Sequence, residues 1–460
     1  LEGENLKTAT GRSIHHLIGT LLGEYIYAFY EKFKGVEYLP WHIIEDYHGK
    51  RLTRIIPHFY KTDAFFRKRL DGAGIDPFDV NHPSKLKKIP LITREDIKSQ
   101  YENKRFPPFK LWENIYTGGS TGVPLHLVAD HRSMGQRRAA ALGAYNWWGL
   151  EAGCPRVLVW AVASGSWKGW KQRVYDFLLN RVRIPVFKMG IKHAQKQYER
   201  MRRFSPNYLY AYPSSLEEFA RALVKLDIDG RELGLKLIIT STEVLLESQR
   251  KLIEEVFGCA VANEYGLSEV GVVGFECQRG RMHILPHYII VEFLPVEDML
   301  PPDNGFAYYH VIVTDTSNRM TPVIRYDSGD LAVLDEADSC PCGRSGPIIR
   351  RIVGKFMDNG ILPDGSQFSH EIITTTAVHD SLMRKMVYQF QTIQHTPSDF
   401  EVILKVHERY DKTEYRRKAE KRVKEIFTYH LGGGLNINVQ FSKDIIKDPS
   451  EKRRYFIRRF

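Results

Sequence analysis

Residues 115–124 read Ile115-Tyr116-Thr117-Gly118-Gly119-Ser120-Thr121-Gly122-Val123-Pro124. An apolar pair leads into six residues that hold three glycines and three hydroxyl side chains. Glycine allows the backbone to turn several N–H groups toward one point, and hydroxyls add further donors, so the run can surround phosphate oxygens. It is not a Walker A loop, because no Lys-Ser/Thr pair follows Gly122. An exposed Gly/Ser turn has the same composition, so the surroundings must decide between the two.

Upstream, residues 13–80 read as helical and aromatic-rich, with Tyr25, Tyr27, Phe29 and Tyr30 in one stretch. Pro90 argues against a helix through Lys87-Lys88-Ile89-Pro90-Leu91-Ile92. Thr93 then offers an N-cap, with Glu95 and Asp96 in the first turn of a new helix. Downstream, short apolar runs at 157–160 and 237–239 alternate with helical patterns at 215–225 and 247–256. This strand–helix rhythm predicts an α/β fold with mostly buried strands. After Gly354 the pattern changes to a turn at Pro363-Asp364-Gly365, strands at 386–393 and 400–406, a charged helix at 413–429 and a strand at 437–441. A large domain over 1–354 and a small α+β domain over 355–460 are therefore expected.

The 460 residues are 43% apolar and 26% charged, as in a globular chain, and the formal net charge is +11. That excess favours anionic ligands: nucleotides, nucleic acid or an anionic membrane face. The longest apolar stretch near the start, 17–29, includes Glu24 and is too short to span a bilayer. Five cysteines without regular spacing do not form a disulfide framework, so a cytoplasmic protein is expected.

Further motifs follow the glycine-rich run in a fixed order. They are Asn263-Glu264-Tyr265-Gly266-Leu267-Ser268-Glu269, Ile324-Arg325-Tyr326-Asp327-Ser328-Gly329-Asp330, Ile352-Val353-Gly354-Lys355-Phe356-Met357-Asp358 and Pro449-Ser450-Glu451-Lys452-Arg453-Arg454. Together with residues 117–122 they resemble the motifs of the adenylate-forming superfamily, which includes acyl-CoA synthetases and peptide-synthetase adenylation domains. Pro90–Asp96, Tyr212-Pro213-Ser214-Ser215-Leu216 and Asp364-Gly365 extend the resemblance to its phenylacetate–CoA ligase and CapK-like branch.

The resemblance implies an ATP-dependent ligase. It would form an acyl-adenylate and pyrophosphate, then pass the acyl group to the thiol of CoA or to an amine. It also implies roles for individual residues. Thr117, Gly118, Gly119, Ser120, Thr121 and Gly122 would hold the phosphates; Tyr265, with Gly266 and Ser268 beside it, would stack on adenine. Glu269 would ligate Mg²⁺, which prefers oxygen donors. Asp330 and Lys355 would meet the ribose, Thr242 and Glu243 would lie near the acyl and adenine pocket, and Lys452 would bridge the carboxylate and the α-phosphate.

Three positions depart from the pattern. Leu125 stands where many relatives have Lys, leaving His126 or Arg132 to supply that phosphate contact. Lys355 stands where Arg is usual. The residues after Asp358 do not match the glycine-rich run of the pantetheine path in well-known CoA ligases, which favours an amine acceptor.

Cys277 and His283 are separated by five intervening residues, and Cys340-Pro341-Cys342 adds two thiols. This Cys₃His set suits structural Zn²⁺. Cys154 and Cys259 read as small core residues. A zinc-containing nucleic-acid-binding protein is the alternative from another class; against it, the basic residues are spread along the chain and no nucleic-acid-binding module is recognisable.

Overall fold

The computed structural model describes residues 6–21, 23–101, 112–117, 125–160, 173–174, 176–185, 188–297, 307–337, 339–355, 360–368, 380–442 and 455–460. The chain forms two compact units. The first comprises Leu1–Phe293, Val311–Ser328 and Asp335–Arg350, and the second Leu294–His310, Gly329–Leu334 and Arg351–Phe460.

Strand β1 (Trp112–Thr117) pairs antiparallel with β2 (Leu125–Asp130), and Thr117 lies opposite Leu125. Residues 118–124 of the glycine-rich run lie between these two strands in sequence and outside the described residues. Asp130 then caps the helix His131–Asn146 by accepting from the Ser133 N–H at 2.8 Å.

Five parallel strands follow: β3 (Arg156–Trp160), β4 (Arg181–Pro185), β5 (Tyr208–Ala211), β6 (Leu237–Ser241) and β7 (Val261–Leu267). They are joined by β8 (Gly271–Glu276), β9 (Met282–Ile284), β10 (Ile289–Pro295), β11 (Tyr308–Asp315), β12 (Tyr326–Leu334) and β13 (Ile348–Lys355). The sheet order is β10-β11-β12-β13-β9-β8-β7-β6-β5-β3-β4. Parallel strands need crossovers, and the helices Ile191–Phe204, Pro213–Lys225 and Glu247–Phe257 provide them. Leu209, Ile238 and Val261 from the strands pack with Leu216, Phe219, Ile253 and Phe257 from the helices in one buried cluster. Every side chain of β6 is buried, which explains its unbroken Leu-Ile-Ile run.

The expected helix start at Thr93 is present. Its hydroxyl accepts from the Asp96 N–H at 3.1 Å, while the Asp96 carboxylate accepts from the Thr93 N–H at 2.9 Å, a reciprocal cap on the helix Arg94–Tyr101. The strands and helices expected at 157–160, 215–225, 237–239 and 247–256 also form, with bounds shifted by a residue or two.

In the second unit, β14 (Gly360–Ile361) and β15 (Gln367–Phe368) form a small hairpin that turns at Pro363-Asp364-Gly365, with Gly365 at φ 85°. Strands β16 (Val387–Gln394), β17 (Asp399–Val406) and β18 (Asn436–Phe441), with the helix Thr413–Leu431, match the expected β-β-α-β order. The basic tail contributes one more strand, β19 (Phe456–Arg458), parallel to β16, giving the order β18-β17-β16-β19. Phe456 is buried, and its ring meets that of Phe368 edge-on at 5.9 Å, so one aromatic anchor outweighs the surrounding charge.

Candidate active site and metal centre

Two of the quoted motifs, and the segment that holds Thr242 and Glu243, reach the carboxyl ends of adjacent parallel strands. Tyr212 follows β5, Ser241-Thr242-Glu243 ends β6, and Glu264-Tyr265-Gly266 lies in the last part of β7. The register sets Ala211 beside Thr240 and Ser241 beside Glu264. In open α/β sheets this edge is where ligands bind.

The backbone there is under tension. Thr242 has φ 75°, a left-handed conformation that a β-branched residue rarely adopts. Its hydroxyl oxygen is buried without a hydrogen-bond partner among the described residues. Glu243 accepts from the Ser214 N–H and hydroxyl, both at 3.0 Å. Its carboxylate thus sits at the N-terminus of the helix Pro213–Lys225, where negative charge is favoured. Tyr265 is buried, whereas Gly266 and Ser268 are exposed.

Glu269 is buried, and its Oε1 accepts from the Tyr326 hydroxyl at 3.1 Å. An Arg94 nitrogen stands 3.9 Å from the same oxygen, and Arg137 donates to the Glu269 carbonyl at 2.8 Å. Arg137 also pairs with buried Asp315 at 2.9 Å. Tyr326 and Arg94 thus meet the same carboxylate oxygen, Arg137 meets the backbone of the same residue, and no contact is recorded for Oε2 among the described residues. Tyr326 and Arg94 were present in the quoted motifs, but their convergence on Glu269 joins segments far apart in sequence.

Glu264 was likewise quoted without a role. Its Oε2 accepts from the Tyr145 hydroxyl at 2.7 Å and its Oε1 from the Tyr210 hydroxyl at 2.5 Å. Burial pushes the carboxyl above its ordinary value, and the hydroxyls of Tyr210, Tyr145 and Ser241 offset part of that rise. Both phenols are raised well above their ordinary value by burial and by this carboxylate, so they keep their protons.

Within the second unit, the Lys355 ammonium lies 2.9 Å from buried Asp330. Of the residues considered in place of a lysine at 125, His126 bonds Asn114 at 2.7 Å and Arg132 lies over the Phe29 ring at 5.6 Å. Gly118–Gly122 and Lys452 fall outside the described residues, as does the Thr117 side chain.

Cys277, His283, Cys340 and Cys342 come together with their ligand atoms all within 4.8 Å of one another. Cys277 and Cys340 are 3.9 Å apart at sulfur, and Cys342 Sγ lies 3.2 Å from His283 Nε2. Two thiolates on a tetrahedral zinc with Zn–S of about 2.3 Å would be separated by about 3.8 Å, so the spacing fits. Burial, then Arg344 and Arg281, push His283 down to about 4, which keeps the imidazole neutral for ligation. Strand pairing builds the centre: His283 on β9 lies opposite Ile348 of β13, and Cys277 follows β8 directly. Arg344 stacks 3.8 Å over Trp147, whose ring meets His283 edge-on at 6.2 Å.

No family model matches the chain. Phenylacetate–coenzyme A ligase of Thermus thermophilus is 26% identical over 347 residues, 71% of this chain and 74% of that protein. Protein CapK of Staphylococcus aureus is 22% identical over 418 residues, covering 89% of this chain and 88% of CapK. Among solved structures, a 2-hydroxyisobutyryl-CoA ligase in the postadenylation state with 2-HIB-AMP has a TM-score of 0.72 at 16% identity, covering 92% of this chain and 91% of that one. ATP-bound MatB from Rhodopseudomonas palustris has a TM-score of 0.51 at 16% identity, covering 74% and 65% of the two chains. The chain belongs to the adenylate-forming superfamily. Within it, distant homology links the chain to phenylacetate–coenzyme A ligases and CapK over most of its length.

Proposed function

We propose that this protein activates a carboxylic acid with MgATP, releases pyrophosphate and transfers the acyl group from the adenylate to the thiol of CoA or to an amine. The observation that carries this reading is the alignment of Tyr212, Ser241-Thr242-Glu243 and Glu264-Tyr265-Gly266 at the carboxyl edge of three adjacent parallel strands. In this proposal Thr117–Gly122 hold the phosphates, Tyr265 stacks on adenine, and Gly266, Ser268, Thr242 and Glu243 shape its surroundings. Asp330 accepts from the ribose hydroxyls, while Lys355, already paired with Asp330, orients that carboxylate. Glu269 ligates the magnesium that travels with ATP, and Lys452, from a C-terminal domain over 355–460, stabilises charge during adenylation. Zn²⁺ held by Cys277, His283, Cys340 and Cys342 has all four positions filled by protein, which makes it structural.

The departure after Asp358 supports an amine acceptor, while the ligase relatives support CoA. The test is a panel of carboxylates scored for pyrophosphate release, with and without CoA or amines. AMP and pyrophosphate are the expected products. Stoichiometric ADP would overturn the mechanism, and robust acyl-CoA formation would exclude the amine branch.

A further inference from the structure

Glu264 occupies a position that a purely apolar pocket would not need. Its carboxylate is buried, yet the phenols that bind it, Tyr145 and Tyr210, are each only half-buried. Gly266, two residues along the same strand, is exposed. A Cβ placed on Gly266 would lie 3.9 Å from Glu264 Oε1, with no closer neighbour than the Gly271 carbonyl oxygen at 3.5 Å. The network therefore borders accessible space at the carboxyl edge of the parallel strands. Trp160, at the end of β3, walls it through ring contacts with Tyr210 at 5.4 Å and Tyr212 at 4.8 Å.

The direction of the protons gives this surface its chemistry. Tyr145 and Tyr210 both donate to Glu264, and Ser241 lies opposite Glu264 in the register of β6 and β7. A carboxylate offers about four lone-pair positions and a phenol oxygen keeps acceptor capacity after donating. With its protons directed inward, the cluster presents acceptors and no free donors from these phenols. Its complement is a donor.

We propose that the acid activated by this chain carries a hydrogen-bond donor, a hydroxyl or an ammonium group, away from its carboxylate, and that Glu264 with Tyr145 and Tyr210 receives it. This assignment rests on the ligase reading above. It names a substrate class: hydroxylated or amino-substituted carboxylic acids. A buried site built around hydrogen bonds rejects an analogue that lacks the partner far more strongly than an apolar pocket rejects a small change in size.

The test uses the full-length protein and acids matched in length and shape that differ at one position as methyl, hydroxyl or ammonium. Acid-dependent ATP–pyrophosphate exchange is measured for the parent, Glu264→Gln, Glu264→Leu and Tyr210→Phe. The parent should favour a donor-bearing acid over its methyl analogue by at least ~10²-fold in kcat/KM. Glu264→Leu should bring that ratio within about tenfold, mainly by lowering the rate with the donor-bearing acid. Exchange with the methyl analogue reports that each variant is folded; if Glu264→Leu is inactive with every acid, Glu264→Gln decides. A parent that prefers methyl acids, or a preference unchanged in active Glu264 variants, would make the network a structural brace and overturn the inference alone. No exchange with any acid would overturn the ligase reading and this inference with it.

Discussion

Replacing Thr242 by glycine should make the protein more stable and less active at once. A non-glycine residue held at φ 75° stores about 1–3 kcal/mol of strain, and a buried hydroxyl without a partner costs a similar amount. Glycine removes both. Against this gain stand up to about 1 kcal/mol of added unfolded-state entropy and about 0.8 kcal/mol for the lost methyl group. The net expectation is a stabilisation of roughly 1–3 kcal/mol, several degrees in Tm for a domain of this size. Meanwhile a hydroxyl without a partner among the described residues stands just past β6, where the proposed function puts the nucleotide. Losing a hydrogen bond to the adenine or acyl end of the ligand costs about 0.5–1.5 kcal/mol, roughly a two- to tenfold fall in kcat/KM. Differential scanning calorimetry and pyrophosphate exchange on the same preparations test both halves. A lower Tm with unchanged exchange would refute the reasoning and make the strained turn part of the scaffold.

Cys340→Ser should lower both the zinc content and the Tm, because metal affinity is coupled to folding; elemental analysis finding no zinc in parent protein prepared without chelators would remove the metal assignment. Tyr326→Phe should raise the magnesium concentration needed for half-maximal exchange, since it removes the 3.1 Å hydrogen bond that orients the Glu269 carboxylate; an unchanged magnesium dependence would separate Glu269 from the cation. Lys452→Ala should slow adenylation by at least ~10²-fold while sparing transfer from supplied acyl-adenylate. Alanine at Lys447, Arg453 or Arg454 is the control in single-turnover kinetics, and equal mild losses in all four variants would reduce Lys452 to one charge in a basic tail.

Local signals made most elements legible. The Thr93–Asp96 cap, the Leu-Ile-Ile run of β6 and the turn at Pro363-Asp364-Gly365 each depend on neighbours in sequence. The four metal-binding candidates were also readable, since three of the five cysteines fall in this set. What escaped depended on distant partners. Glu264 looks like an ordinary motif residue until Tyr145, 119 positions away, and Tyr210, 54 positions away, close on it. Tyr326 meets Glu269 across 57 positions for the same reason. The strand Phe456–Arg458 was hidden because charge dominates its neighbourhood while a single buried Phe456 fixes it. The division into units was obscured because β10, β11, β12 and β13 run continuously through the points where the chain changes unit.

That division has a practical side. Among the described residues, the main apolar cluster of the second unit draws on residues between Leu362 and Phe456, with Phe368, Phe400, Phe427 and Phe456 among its rings. The earlier segments contribute to a separate small cluster of Tyr308, Leu331, Val333 and Val353. A polypeptide of residues 355–460 therefore keeps the described members of the main cluster and gives up those of the lesser one. Produced as an independent piece, it would carry Lys452 and could be mixed with a full-length chain bearing Lys452→Ala. Restoration of adenylation by such complementation in trans would turn one inactive protein into a two-component assay for the lysine's delivery.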